Sequence, residues 1–421
     1  MGNLGQIIIN GRTKLCGEVL ISGAKNAAVA IIPAAIVAND VCSIENLPII
    51  KDVAILAETL KSIGAKCEFK NNKHALLIDG REIKNICVDH DLIKKIRASY
   101  YLLGALLGRF KKAEVALPGG DDFGSRPIDQ HIKGLEALGA KISIEHGMIK
   151  AHAKRLTGAN IFLDIISVGA TINIMLAAIY AEGITVIENA AKEPHVVDTA
   201  NFLNMLGANI KGAGTNTIKI LGVKKLHGAK YSIIPDQIEA GTYMIAAAIT
   251  NGSIKVKNII PKHLESLSAK LREMNCKIKE GDDFININAR DKKLKSVNIK
   301  TMNYPGFPTD LQPQMATLLS SVSGTGIITE TVWENRFQYV DELKRLGANI
   351  VIDGRTAVVK GGTKLTGTPV SATDLRAGAA LILGGLIAEG ETRINNINYI
   401  DRGYEQIEKK LSVLGADIKR V

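Results

Sequence analysis

The residues with the most chemistry to offer lie between Leu117 and Asp129, where Pro118, Gly119, Gly120, Asp121, Asp122, Phe123, Gly124, Ser125, Arg126, Pro127 and Ile128 follow one another. Three glycines let backbone amides approach an anion, the Arg126 guanidinium can grip a phosphate or carboxylate in a fork, and Asp121 stands where an acid could trade a proton. The stretch reads as a lid over an anionic substrate. Taken alone it reads equally as a Gly/Asp-rich connection that only turns.

A second set of polar residues stands at the starts of apolar segments: Lys25 and Asn26, Arg97, Ser167 to Gly169, Asp236 and Gln237 with Glu239, Thr309 and Asp310, and Thr373 to Arg376. Helix N-termini offer free amides and the positive end of the dipole, so these starts suit anions. Ser, Thr and Asp have a plainer use there as N-caps. Lys25, Arg97 and Arg376 have no such use, because a cation opposes the dipole at that end.

The elements that must position these groups are periodic along the whole chain. A phrase of the type Leu-Gly-Ala recurs with its fourth residue at Gly64, Gly139, Gly207, Asn275, Gly347 and Gly415, in steps of 75, 68, 68, 72 and 68 residues. Such regular self-similarity signals six copies of one supersecondary unit. In each copy the phrase ends an amphipathic helix at a left-handed cap, supplied by Asn275 in the fourth, and a short strand follows. Each copy also holds a helix apolar on nearly every face, over Ala27–Ala38, Ala98–Phe110, Ala170–Ala181, Gly241–Thr250, Leu311–Ser321 and Ala377–Ala388, followed by a β-rich run. A helix apolar all round must be buried on every side. Six units of two helices plus strands, three per domain, give an α/β fold.

Composition narrows the partners. At 421 residues the chain is too long for one ordinary core. A formal charge of +11 admits nucleic acid, an anionic membrane surface or small anionic substrates. Scattered lysines and a single tryptophan give no aromatic-interleaved basic stripe, which argues against nucleic acid. The longest apolar runs, Ala27–Ala38 and Ala377–Ala388, are 12 residues each, well short of the roughly 20 that a membrane span needs. The N-terminus carries no basic-then-apolar signal. Five cysteines (Cys16, Cys42, Cys67, Cys87, Cys276) without a CxxC pair suit a reducing cytoplasm better than a disulfide frame. Dispersed histidines with no HExxH give no metal site, and no cofactor is expected.

Eight segments, in order from about Gly11 to Val421, resemble the UDP-N-acetylglucosamine 1-carboxyvinyltransferases of the enolpyruvyl transferase family. They are Gly17–Asn26, Ile96–Ser99, Leu117–Asp129, Ser167–Thr171, Phe307–Asp310, Thr331–Arg336, Ala372–Arg376 and Ile400–Tyr404. The resemblance implies a two-domain inside-out α/β barrel of six βα repeats, three per domain. The domains it implies are residues 22–233, with the loop 117–129, and residues 1–21 plus 234–421, the active site lying in the cleft between them.

The implied reaction moves the enolpyruvyl group of phosphoenolpyruvate to the 3'-hydroxyl of UDP-N-acetylglucosamine, releasing phosphate through a tetrahedral intermediate. It is the first committed step of peptidoglycan precursor synthesis. Both substrates are polyanions, which suits bidentate guanidinium groups. By resemblance, Lys25, Arg126 and Arg402 hold the phosphate of phosphoenolpyruvate, and Arg336 and Arg376 its carboxylate. Arg97, the run Arg126, Pro127, Ile128, Asp129 and Gln130, and the run Ile165, Ile166, Ser167, Val168 and Gly169 frame the nucleotide sugar. Asn26 and Asp374 orient, Val332 lines the sugar pocket, and Asp310 accepts the 3'-hydroxyl proton. Asp310 also reads as the N-cap of the helix Leu311–Ser321.

The departures from the family pattern are specific. Many members have Cys where this chain has Asp121, so the acid here is a carboxyl group. It can serve if burial or neighbouring anions lift its pKa. Epoxide drugs of the fosfomycin type alkylate a thiolate, so the enzyme is expected to resist them. Ile165 replaces a Lys of some members and His195 a common Glu. The rival readings are the shikimate-pathway enolpyruvyl transferase and an inactive UDP-sugar-binding paralogue. A monomer or weak dimer in the cytoplasm completes the expectation.

Overall fold

The computed structural model describes residues 5–88, 100–117 and 128–421. The described residues divide into two compact units, the first drawn from residues 23–88, 100–117 and 128–234 and the second from residues 5–22 and 235–421. Each has its own apolar core.

Three helices without a polar face form the centre of each unit. In the first they are α1 (Lys25–Ala34), α2 (Tyr101–Phe110) and α3 (Val168–Ala178). In the second they are α4 (Gln237–Ile249), α5 (Gln312–Ser321) and α6 (Leu375–Ile387). Nearly all their residues are buried, as all-round apolarity requires. Helices α2 and α3 lie so close that a Cβ on Gly104 would stand 2.3 Å from the Asn173 carbonyl oxygen, and one on Gly108 2.7 Å from that of Leu176. Only glycine fits there.

The amphipathic helices Lys51–Ser62, Asp129–Ala137, Pro194–Met205, Glu265–Glu273, Val340–Arg345 and Ile407–Val413 bury one face each. All six repeat phrases end as anticipated. Gly64, Gly139, Gly207, Asn275, Gly347 and Gly415 have φ of 105°, 96°, 101°, 82°, 100° and 103°, the left-handed region that ends a helix and turns the chain into the next strand.

Six small sheets cover the core helices. In each, the strand after the core helix pairs antiparallel with one neighbour, and in five it also pairs parallel with a strand on its other side. The sixth keeps only a parallel bridge from Cys87 to Glu114 at that place. Two strands pair away from the core helix that follows them in sequence, each within its own unit. The strand Cys16–Leu20 precedes α1 in sequence but pairs with Ser253–Lys257 of the second unit. Conversely, Lys230–Ser232 precedes α4 but pairs with Val41–Glu45 of the first. The N-terminal strand Ile7–Asn10 lies between Glu391–Asn395 and Asp417–Arg420, so the two ends of the chain complete one sheet. Three helices inside and three sheets outside, in each unit, make the two-domain inside-out α/β barrel.

Candidate functional site

In the second unit the sequence-predicted residues converge on one carboxylate. Asp310 lies in the 3-10 turn Thr309–Leu311 that leads into α5. It does not cap that helix, whose N-cap is Leu311 with no side-chain bond, and this corrects the N-cap reading of Asp310. The extra turn carries its side chain away from the free amides, toward two guanidinium groups. Arg336 Nη2 donates to Asp310 Oδ1 at 3.2 Å, and Arg376 Nε and Nη2 donate to Oδ2 at 3.1 and 2.9 Å. Both arginines are buried, with 2% and 3% of their surface exposed.

Arg376 enters this cluster from the first turn of α6 because Asp374 caps that helix, its Oδ1 accepting from the amides of Arg376 and Ala377 at 2.7 and 3.1 Å. The cap neutralises the dipole end that a cation would otherwise oppose. Burial opposes the Arg376 charge, but the Asp310 carboxylate, with Tyr404 and Asp236, raises its pKa above the ordinary guanidinium value. The guanidinium carbon lies 5.4 Å from the centroid of the buried Tyr404 ring. Tyr404 Oη is in turn 2.9 Å from Thr242 Oγ1 and accepts from Gln314 Nε2 at 3.2 Å. Arg376 Nη1 is buried with no hydrogen-bond partner among the described residues. Arg402 ends the 3-10 turn Ile400–Arg402 and is half-buried.

In the first unit, Lys25 opens α1 with no capping side chain. Its ammonium is balanced by Asp52 Oδ2 at 3.2 Å, and both side chains are mostly buried. Asp52 stands in the first turn of Lys51–Ser62, where an acid has the ordinary use of facing the dipole. That ordinary use hides its pairing from a reading of the sequence. Asn26 is half-buried.

Ser167 caps α3, accepting from the Ala170 amide at 3.2 Å. Gly169 is packed so tightly that a Cβ would stand 2.8 Å from Tyr100 Oη and 2.9 Å from His131 Nε2. His131 Nδ1 lies 2.9 Å from Asn173 Nδ2, whose amide oxygen accepts from Gly104 N at 2.7 Å. The Asn173 amide is thus oriented to donate to His131, which puts the imidazole proton on Nε2. Gln130 is buried and gives both amide ends to Asp164: Oε1 accepts from the Asp164 amide at 2.9 Å and Nε2 donates to its carboxylate at 3.1 Å. It therefore ties the helix start at Asp129 to the segment entering Ile165, which is 56% exposed. Ile128, Ile166 and Val168 are half-buried against the core, and Asp129 is exposed.

Two carboxylates stand where the chain passes between units. Glu239 in α4 accepts from Lys410 Nζ at 2.6 Å and from the Ser22 amide at 2.8 Å, and burial pushes its pKa up against the pull of Lys410. Asp198 accepts from Tyr231 Oη at 2.6 Å and from the Ile234 amide at 3.2 Å. Burial lifts it to about 6, and those two bonds offset only part of the rise.

Arg97, Asp121, Arg126 and Pro127 lie outside the described residues. Among the described ones, the structure brings Asp310, Arg336, Arg376 and Asp374 together. Val332 is half-buried, its amide donating to Glu330 Oε1 at 2.8 Å. The reading of the sequence missed Asp52, Asp164, Tyr404 and Glu330, each of which holds or flanks a residue it named.

The profile of the EPSP synthase (3-phosphoshikimate 1-carboxyvinyltransferase) family matches residues 9–411. The chain is 56% identical over 418 residues to UDP-N-acetylglucosamine 1-carboxyvinyltransferase 2 of Clostridium acetobutylicum, covering 99% of each chain. To UDP-N-acetylglucosamine 1-carboxyvinyltransferase 2 of Bacillus subtilis it is 54% identical, covering 98% of this chain and 96% of the other. Among solved structures, the enolpyruvyl transferase NikO from Streptomyces tendae superposes with a TM-score of 0.90 at 28% identity, covering 99% of both chains. EPSP synthase from Acinetobacter baumannii superposes with a TM-score of 0.76 at 18% identity, covering 99% of this chain and 100% of the other, a likeness of fold. With full-length identity above one half to such relatives, the chain belongs to the enolpyruvyl transferase family and, within it, to the UDP-N-acetylglucosamine 1-carboxyvinyltransferases.

Proposed function

We propose that the protein transfers the enolpyruvyl group of phosphoenolpyruvate to the 3'-hydroxyl of UDP-N-acetylglucosamine with release of phosphate, opening peptidoglycan precursor synthesis in the cytoplasm. The observation that carries this reading is the Asp310 carboxylate held between Arg336 and Arg376. A two-guanidinium fork already filled by a carboxylate is a fork that accepts one. The carboxylate of phosphoenolpyruvate takes this place, Arg376 Nη1 gains an acceptor, and Asp310 is released to act as base.

The released Asp310 takes the proton of the 3'-hydroxyl as that oxygen attacks C2 of phosphoenolpyruvate, and Asp121 delivers a proton to C3. The product is a tetrahedral intermediate. Breaking its bond from C2 to the phosphate oxygen expels phosphate, and loss of a proton from C3 restores the double bond. Lys25, Arg126 and Arg402 hold the phosphate. Asn26 and Asp374 orient, the latter by fixing the turn that carries Arg376. Arg97, Arg126 to Gln130, Ile165 to Gly169 and Val332 frame the nucleotide sugar, with Gln130 acting through its bonds to Asp164. The first unit supplies Lys25 and Arg126 and the second Arg336, Arg376 and Arg402, so catalysis draws on both.

The test is to incubate the purified protein with phosphoenolpyruvate and UDP-N-acetylglucosamine and to follow phosphate and the enolpyruvyl ether. Equimolar appearance of both is expected. Turnover with shikimate 3-phosphate instead, or nucleotide-sugar binding without turnover, contradicts the reading.

A further inference from the structure

Glu330 is fully buried, with 1% of its surface exposed, and the repeat architecture makes it an exception. It stands one residue beyond the strand Thr325–Thr329. In four sister repeats that place belongs to Asn46, Asn189, Asn258 and Asn396, all left-handed with φ of 57°, 56°, 56° and 57°. Three of them donate Nδ2 to the carbonyl just beyond the parallel neighbour strand, at Ile233, Leu163 and Ile21. In the fifth repeat the corresponding residue is Thr301, and the polarity is reversed: its hydroxyl donates to Glu330 Oε1 at 2.8 Å.

Glu330 does not share the left-handed backbone of those asparagines, and a carboxylate taken out of water is costly unless its hydrogen bonds offset the loss. What the carboxylate adds is three further bonds. Its Oε1 accepts from the amides of Val332 and Trp333 at 2.8 and 3.1 Å, and its Oε2 accepts from Thr309 Oγ1 at 2.9 Å. Thr309 precedes Asp310, and Val332 and Trp333 open the segment that ends at Arg336. We infer that Glu330 is a positioning residue that docks the segment carrying the base Asp310 to the segment carrying Val332 and Arg336, an inference that rests on the roles proposed above for those three. No lysine or arginine among the described residues pairs with it, and its side-chain oxygens accept from these four donors. Several buried hydrogen bonds from one side chain that spans both segments fix their geometry closely, as a proton transfer requires.

Two pairs of variants test it. Glu330→Asn installs the residue of the sister repeats, whose shorter side chain cannot reach Thr309. Glu330→Gln keeps the reach, and the Thr309 hydroxyl can rotate to accept from its amide. Thr309→Val removes one donor and Thr309→Ser retains it. Turnover should fall about tenfold or more in Glu330→Asn and Thr309→Val and stay within about threefold of wild type in Glu330→Gln and Thr309→Ser, with thermal midpoints near wild type. Amide exchange at Thr309–Gln312 and Val332–Arg336 should quicken in the first pair while the core helices are unchanged. Turnover of Glu330→Asn and Thr309→Val within about twofold of wild type, or unchanged exchange in both segments, overturns the inference. A wild type inactive on both substrates defeats the proposed function instead, and the exchange measurement then decides the docking role by itself.

Discussion

At the scale of single residues, the site depends on which anion the two buried arginines hold. In the structure both hold Asp310. Asp310→Asn keeps size and much of the hydrogen bonding but removes proton acceptance, so turnover should drop by roughly 100-fold or more while nucleotide-sugar binding, read by calorimetry, changes little. Turnover within a few-fold of wild type would leave Asp310 as a placeholder only. The acid is testable in the same way. Asp121→Cys should keep substantial activity and become sensitive to fosfomycin-type epoxides, because a thiolate is a far better nucleophile for them than a carboxylate. Asp121→Asn should be nearly inactive, since an amide delivers no proton. An active Asn variant, or an active Cys variant indifferent to the epoxide, removes Asp121 from the chemistry.

At the scale of elements, packing and buried charge set the limits. Gly104→Ala places a methyl group against the Asn173 carbonyl oxygen at 2.3 Å. It should cost about 1–3 kcal/mol in a denaturant titration, the usual penalty for overpacking. Asp198 gives a pH signature. Its carboxyl is lifted from 3.8 to about 6 in the folded state, so the folded protein binds this proton more tightly than the unfolded chain. Its contribution to stability is present below the unfolded value and is lost as pH rises through about 6. Asp198→Asn does not titrate, so its stability relative to wild type should improve by up to about 3 kcal/mol between pH 4 and pH 7. A difference that stays flat across that range contradicts the assignment.

The elements were also the most legible part of the sequence. A left-handed helix end tolerates little besides Gly and Asn, so the six caps from Gly64 to Gly415 stand out without any knowledge of contacts. All-round apolarity announced the core helices for the same local reason. Which sheet a strand joins is not local. Nothing within Cys16–Leu20 reveals that its partner is Ser253–Lys257. Buried ion pairs were legible where a residue breaks a local rule, as Lys25 and Arg376 do at helix starts. A partner was hidden where it obeys one. Asp52 passes for a first-turn acid, and Glu330 passes for a polar residue at a strand end, although it is buried beneath four donors.

At the scale of the whole molecule, Cys16–Leu20 with Ser253–Lys257 and Lys230–Ser232 with Val41–Glu45 pair each within one unit, and the chain is divided between two units, each with its own core. The proposed anion-holding residues are divided in the same way, Lys25 and Arg126 in one unit and Arg336, Arg376 and Arg402 in the other. Binding both substrates should therefore draw the units together and protect the loop 117–129. Solution scattering with UDP-N-acetylglucosamine and a phosphoenolpyruvate analogue should show a smaller radius of gyration, and hydrogen exchange should slow in that loop. An unchanged radius with unprotected loop amides counts against closure.

The most direct test of the central claim is the coupled measurement of phosphate release and ether formation from phosphoenolpyruvate and UDP-N-acetylglucosamine, made on wild type and on Asp310→Asn side by side. The account predicts one phosphate per enolpyruvyl ether in the wild type and a loss of both, together, in the variant. Phosphate release without the ether, or a variant as fast as the wild type, would contradict it.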